Sequence, residues 1–261
     1  MQHKHTIMRQ LTKVLFVFIS ICQLTYSQDK VTKWESITMI NNVQFNNSKF
    51  DNKNAACGFL IKYKNDTLAV TAKHVLIVIR PDSMHTTFNL EHGLKQWTMQ
   101  PKDKKEQIVI MDRLLNGNYD DSLNSKYYVK QGDDYHDWLI FSIKENKSKV
   151  KPLEIRKTEL INGEKLFFIG WSYVEYEGEQ RSHECEYISS NKKGTYFDMK
   201  LIGPMFYIFG YSGSPVIDKD GLLVGIMSEF RQDSVSKEYI VVSAKVDYLT
   251  HFLDSLYSKN K

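Results

Sequence analysis

Three kinds of side chain that together perform acyl transfer stand at the edges of apolar, β-branched runs in this chain. Gly210-Tyr211-Ser212-Gly213-Ser214-Pro215-Val216 reads as a tight turn that lifts one serine hydroxyl between two glycines, followed by a strand at 215–217. A serine nucleophile needs its hydroxyl clear of the backbone and amide N–H groups aimed where an oxyanion will form. Glycine at 210 leaves that space empty and permits backbone conformations closed to other residues. The plain alternative is an ordinary Gly-Ser-Pro turn. Upstream, Leu68-Ala69-Val70-Thr71-Ala72-Lys73-His74 is a β-rich run ending on a histidine, and Asp137-Trp138-Leu139-Ile140-Phe141 opens a strand on an aspartate. Singly, such residues are common turn and edge features. Together they present His, Asp and Ser in one of the several chain orders in which a catalytic triad can be built.

The elements that must position these residues are mostly strands. Segments 43–45, 57–62 and 67–71 read as short strands separated by Asn/Lys/Asp turns. Segment 80–134 is longer than a compact barrel requires and reads as an insertion bordering the cleft, with a strand at 107–111 and turn chemistry at Asn116-Gly117. Segment 149–160 reads as a linker. Segments 163–171, 185–189, 194–202, 214–217 and 222–227 supply a second set of strands. Val246, Leu249, Phe252, Leu253 and Leu256 recur at helical spacing, so the chain ends in an amphipathic helix. The Asn-rich stretch 41–54 reads as a mobile connection.

These motifs resemble those of chymotrypsin-fold, trypsin-like serine proteases, and most of all the bacterial branch with the HtrA-type and glutamyl-endopeptidase-type enzymes. Thr71-Ala72-Lys73-His74 is similar to the family's Thr-Ala-Ala-His, Asp137-Trp138-Leu139-Ile140 to its Asp-Ile-Ala-Leu, and 210–215 to its Gly-Asp/Asn-Ser-Gly-Gly/Ser-Pro. Gly221-Leu222-Leu223-Val224-Gly225-Ile226 resembles the hairpin return behind the serine. The resemblance implies an all-β fold of two six-stranded antiparallel β-barrels, one over 28–148 carrying His74 and Asp137, the other over 149–261 carrying Ser212 and the terminal helix. It implies a serine endopeptidase with His74, Asp137 and Ser212 as catalytic residues and the amides of Gly210 and Ser212 as the oxyanion hole. Phe206, Tyr207, Ser228 and Phe230 would contact substrate, Ser228 near the triad aspartate. The carboxylate that reads Lys or Arg six residues before the nucleophile is replaced by Phe206, and the histidine of glutamate-specific relatives by Met227.

Two departures are bulky. Lys73 precedes the histidine, acceptable if its ammonium reaches solvent. Tyr211 replaces the aspartate that in trypsin itself receives a newly cleaved N-terminus, so that switch is not expected and Tyr211 and Phe209 would order the loop by packing. The same two changes carry the alternative reading, a trypsin-fold binding module that has lost turnover. An α/β-hydrolase is disfavoured, because Ser214 breaks the Gly-x-Ser-x-Gly elbow and that fold orders its triad Ser, Asp, His.

Lys4, Arg9 and Lys13 precede an apolar run at 14–24 and small residues at 25 and 27, the layout of a secretory signal peptide over 1–27. The run falls short of the ~20 apolar residues of a membrane span. Its removal takes away three of the 35 basic residues and none of the 31 acidic ones. The nearly neutral remainder gives no reason to expect nucleic-acid binding, and no membrane association is expected after cleavage. The expected location is secreted or periplasmic, and the partner a polypeptide substrate. His183-Glu184-Cys185 offers metal-ligand types without a second pair, so neither metal nor cofactor is expected. Cys57 and Cys185 are free to form a disulfide only if the fold brings them together.

Overall fold

A computed structural model describes residues 34–76, 94–102, 104–117, 136–174 and 180–259. The proposed signal segment lies outside the described residues. Six strands, β1 (Thr38–Phe45), β2 (Asn52–Tyr63), β3 (Asp66–Thr71), β4 (Leu94–Gln100), β5 (Val109–Leu114) and β6 (Leu139–Asn146), close into one barrel in the order β1-β2-β3-β6-β5-β4. Six more, β7 (Lys165–Gly170), β8 (Arg181–Ser190), β9 (Tyr196–Leu201), β10 (Pro215–Asp218), β11 (Leu223–Gln232) and β12 (Tyr239–Lys245), close a second in the order β10-β11-β12-β9-β8-β7. Pairing within both is antiparallel. The chain ends in α1 (Val246–Ser258), whose buried side chains are Val246, Leu249, Phe252 and Leu253. Closure removes the sheet edges that would otherwise be left unpaired.

Parts of the sequence reading need correction. Within 80–134, β4 and β5 are barrel strands, so those stretches belong to the closed sheet and not to an insertion. The Asn-rich stretch is largely β1 and the start of β2, and Asn41 is fully buried. Its amide donates to the Ala56 and Cys57 carbonyls and to Thr71 Oγ1, and its oxygen accepts the Trp97 indole N–H at 2.9 Å. A buried amide satisfied on both sides fixes strand register where an apolar side chain would not. Strand β12 has no counterpart in the sequence reading, although Ile240-Val241-Val242 carries the β-branched signal.

The linker is bound to both barrels. Leu153 exchanges hydrogen bonds with Leu60 and Lys62 on β2, and Glu154 and Arg156 do so with Leu223 on β11, each at 2.8–3.0 Å. Arg156 also pairs with Glu164 and Asp218. Across the junction, Thr38 Oγ1 donates to the Ile169 carbonyl at 2.7 Å, and the Gln180 side-chain oxygen accepts from the Ile37 and Thr38 amides. The barrels are therefore joined by directional bonds at the seam where the site lies.

Helix α1 is fastened to the β2–β3 hairpin by two crossed bonds, Tyr63 hydroxyl to Asp254 and Tyr257 hydroxyl to Asp66, with the two rings edge to face at 5.1 Å. Burial, then the bond to Asp254 and its charge, push the Tyr63 phenol up to about 12, and Tyr257 is shifted the same way. A phenol held protonated in the folded state contributes stability that is complete below its ordinary pKa and lost as pH rises through the folded value. Urea unfolding should show Tyr63→Phe and Tyr257→Phe each weakening the fold at pH 8 by about 1 kcal/mol. From pH 10 to 12 the wild type should lose stability faster than the double variant. Parallel curves would show that these bonds do not form in solution.

Candidate active site

His74 follows β3 on a tight turn closed by bonds from the Val75 and Leu76 amides to the Ala72 and Lys73 carbonyls. Lys73 is fully buried, which corrects the expectation that its ammonium reaches solvent. Asp137 precedes β6 and is fully buried. Its neighbours lock it in place. His136 stacks on Tyr248 of α1 at 4.1 Å, and Trp138, also fully buried, donates its indole N–H to the Lys245 carbonyl. Asn116 accepts from the Ile140 amide and donates to the Trp138 carbonyl.

The Asp137 carboxylate accepts the His74 backbone N–H at 2.8 Å on one oxygen. The other oxygen meets His74 Nδ1 at 2.7 Å and accepts the Ser228 hydroxyl. Burial alone raises a carboxyl pKa, but here the His74 charge and the bonds from His74 and Ser228 outweigh it and hold Asp137 below the ordinary carboxylate value. Tyr196 stands beside this cluster, its phenol pushed up by burial and by the Asp137 charge. Because the folded pKa is depressed, stability contributed by the Asp137 charge is present above the ordinary carboxyl range and lost only as pH falls through the folded value. Ser228→Ala removes one of the bonds that lower it. That variant should start to unfold at a higher pH on acidification than the wild type, read by circular dichroism, while an unchanged acid limb would show that Ser228 does not hold the carboxylate.

Ser212 is carried by the opposite barrel, on a loop that packs against β2 and the turn before His74. Its carbonyl accepts the Cys57 amide of β2 at 2.8 Å, and the Gly213 amide donates to Met227 on β11 at 3.0 Å. Gly213 has φ +80°, and a Cβ on it would lie 2.2 Å from the Cys57 carbonyl oxygen and 3.2 Å from the Ala72 amide nitrogen. Only glycine lets the serine loop press this closely on the turn that carries His74. The amides of Tyr211, Gly213 and Ser214 are all bonded, whereas among the described residues the amides of Gly210 and Ser212 have no partner. The two unpartnered N–H groups are those of the half-buried Ser212 itself and of Gly210, two residues before it.

Of the expected substrate contacts, Ser228 is buried and its hydroxyl is engaged by Asp137. Phe206 stacks on His183, Phe230 stacks on Tyr239, and Tyr207 is half exposed with its ring 5.4 Å from Phe209. Tyr211 is fully buried, as an anchor must be, but Phe209 is 64% exposed and does not anchor the loop. Cys57 and Cys185 are both buried free thiols, because Cys57 lies at the junction and Cys185 within the second barrel. A cavity of about 390 Å³ opens beside Gly210, lined among others by Ile40, Asn54, Cys57, Lys102 and Tyr173. No sequence pattern marked it, since its walls come from five separate segments. His183 was legible only as a metal-ligand type, and its ring in fact lies among Phe168, Phe206 and Tyr211.

Two closed six-stranded antiparallel barrels, with a hydrogen-bonded Asp–His pair on one and the Ser212 loop on the other, define the chymotrypsin-like class. Residues 56–226 match the family model of the trypsin-like peptidase domain, and the chain belongs to that family. Among solved structures it is similar in fold to kallikrein-related peptidase 10, at 14% identity over 85% of this chain and 95% of that one, with a TM-score of 0.55. It is equally similar to a Glu endopeptidase in complex with MPD, at 15% identity over 90% of this chain and 95% of that one, with a TM-score of 0.55. No curated protein sequence matches the chain.

Proposed function

We propose that this chain is a secreted or periplasmic serine endopeptidase that cleaves polypeptides through an acyl-enzyme. The observation that supports the reading is a hydrogen-bonded Asp137–His74 pair whose turn is pressed by the loop carrying Ser212, with the amides of Gly210 and Ser212 unpartnered among the described residues. Ser212 Oγ attacks the scissile carbonyl while His74 takes its proton at Nε2 and returns it to the leaving amine. Asp137, bonded to Nδ1, fixes the tautomer that leaves Nε2 free to accept and stabilises the imidazolium. The Gly210 and Ser212 amides receive the oxyanion. Water then repeats the sequence on the ester. The chemistry needs no cofactor.

Both bulky departures are accommodated in the fold while the Asp137–His74 bond is kept. Tyr211 is buried in the second barrel and bonded to His183, and Lys73, buried as well, comes before the His74 turn without breaking the His74–Asp137 bond. The deciding experiment is labelling of the chain lacking 1–27 with a fluorophosphonate, alongside Ser212→Ala. Labelling of the wild type alone supports the peptidase. Absence of both labelling and casein cleavage would transfer the case to the binding module.

A further inference from the structure

The segment between β9 and β10 carries the two unpartnered amides yet has almost no regular structure of its own. From 205 to 209 its side chains alternate, with Met205, Tyr207 and Phe209 outward and Phe206 and Ile208 against the second barrel's core. Backbone bonds hold its two ends, from Ile202 to Glu184 and from 212–214 to Cys57, Met227 and Tyr211. Between 203 and 210 only two are made, the Tyr173 amide to Phe209 and the Tyr211 amide to Ile208 at 3.3 Å. Order in that stretch rests largely on its inward side chains.

His183 on β8 meets two of them. Its Nε2 lies 2.8 Å from the Tyr211 hydroxyl, and its ring lies 3.7 Å from Phe206 at an interplanar angle of 11°. Its other neighbour is Phe168, its cross-strand partner on β7, stacked at 4.8 Å. Phe168 and Phe206 in turn meet Tyr211 edge to face at 5.5 Å. Tyr211 lies between Gly210 and Ser212, so the placement of its side chain sets the peptide plane that carries the Ser212 N–H directly and constrains Gly210 through the intervening peptide.

We propose that His183 is a positioning residue that holds Tyr211 and Phe206, and through them the Gly210 and Ser212 amides, in the oxyanion-binding arrangement. A neutral imidazole accepts the phenol proton at Nε2 and presents its faces to two phenylalanines. This uncharged pair occupies the part of the loop where the resembling zymogens use an ion pair. The functional consequence rests on the peptidase reading above. The ordering of the loop does not.

The test uses Tyr211→Phe, His183→Phe and the double variant, which keep the aromatic packing and remove the hydrogen bond. Amide hydrogen exchange should rise about tenfold or more in 208–213 for each single variant and little elsewhere, as expected for local opening. On a peptide substrate, kcat should fall about 10- to 100-fold with KM within about twofold, because a misaimed oxyanion donor acts on the transition state. The double variant should be no worse than either single one, since it leaves no orphaned polar group. Unchanged exchange in 208–213, or an equal rise across both barrels, overturns the proposal. Unchanged kcat overturns it as well. If the wild type itself shows no turnover while exchange responds as expected, the peptidase reading fails and the positioning role stands.

Discussion

Ser212→Ala and His74→Ala should each lower kcat for peptide hydrolysis by about 10⁶, and the two together should be hardly worse than one. The reason is mutual dependence. A serine hydroxyl is a poor nucleophile without a base, and the base has nothing to activate without the hydroxyl. Asp137→Asn should cost about 10⁴, because an amide facing Nδ1 no longer fixes the tautomer that leaves Nε2 able to accept. The local geometry makes this last variant informative here. Asp137 also accepts the His74 backbone N–H and the Ser228 hydroxyl, so Asn can keep part of the net while losing its charge. Steady-state kinetics on casein and on an ester, with a thermal melt for each variant, separates chemistry from folding. Undiminished hydrolysis by Ser212→Ala would remove the whole mechanism.

The sequence disclosed the two-barrel fold and its local turns better than the long-range pairings, and particular residues show why. Gly210, Ser212 and Gly213 are legible because their conformational demands are local and few other residues meet them. The stripe on α1 is legible because one face of one helix repeats regularly. Strand β4 was missed, and β5, read in part at 107–111, was not placed in the barrel, since their place depends on pairing with β1 and β6, far apart in the chain. Asn41 in an Asn-rich run looks solvated until Trp97 and Thr71, more than twenty residues away, are seen to complete its bonds. His183 lies beyond local patterns for the same reason. Its meaning comes from Tyr211, 28 positions further on.

Gly210→Ala tests the oxyanion assignment directly. Gly210 has φ +110°, and a Cβ there would lie 2.7 Å from the Tyr173 amide nitrogen, 3.0 Å from the Ser172 carbonyl carbon and 3.0 Å from the Trp171 oxygen. All three are backbone atoms of one segment that also bonds back to the loop, through the Tyr173 amide and the Phe209 carbonyl. That wall cannot turn aside as a flexible side chain would, so the Gly210 peptide must rotate and take its N–H off line. Losing one such donor costs about 10²–10³ in kcat. KM should change far less, because the donor acts on charge that develops only in the transition state. Gly221→Ala is the control. Its φ of +83° imposes similar backbone strain, but its Cβ would meet only the Trp34 ring, at 3.4 Å. It should lower stability by about 1 kcal/mol and leave kcat intact. If both variants lose activity in proportion to their melting temperatures, strain alone is responsible. If Gly210→Ala keeps full kcat, its amide does not hold the oxyanion and the second donor must be sought outside this loop.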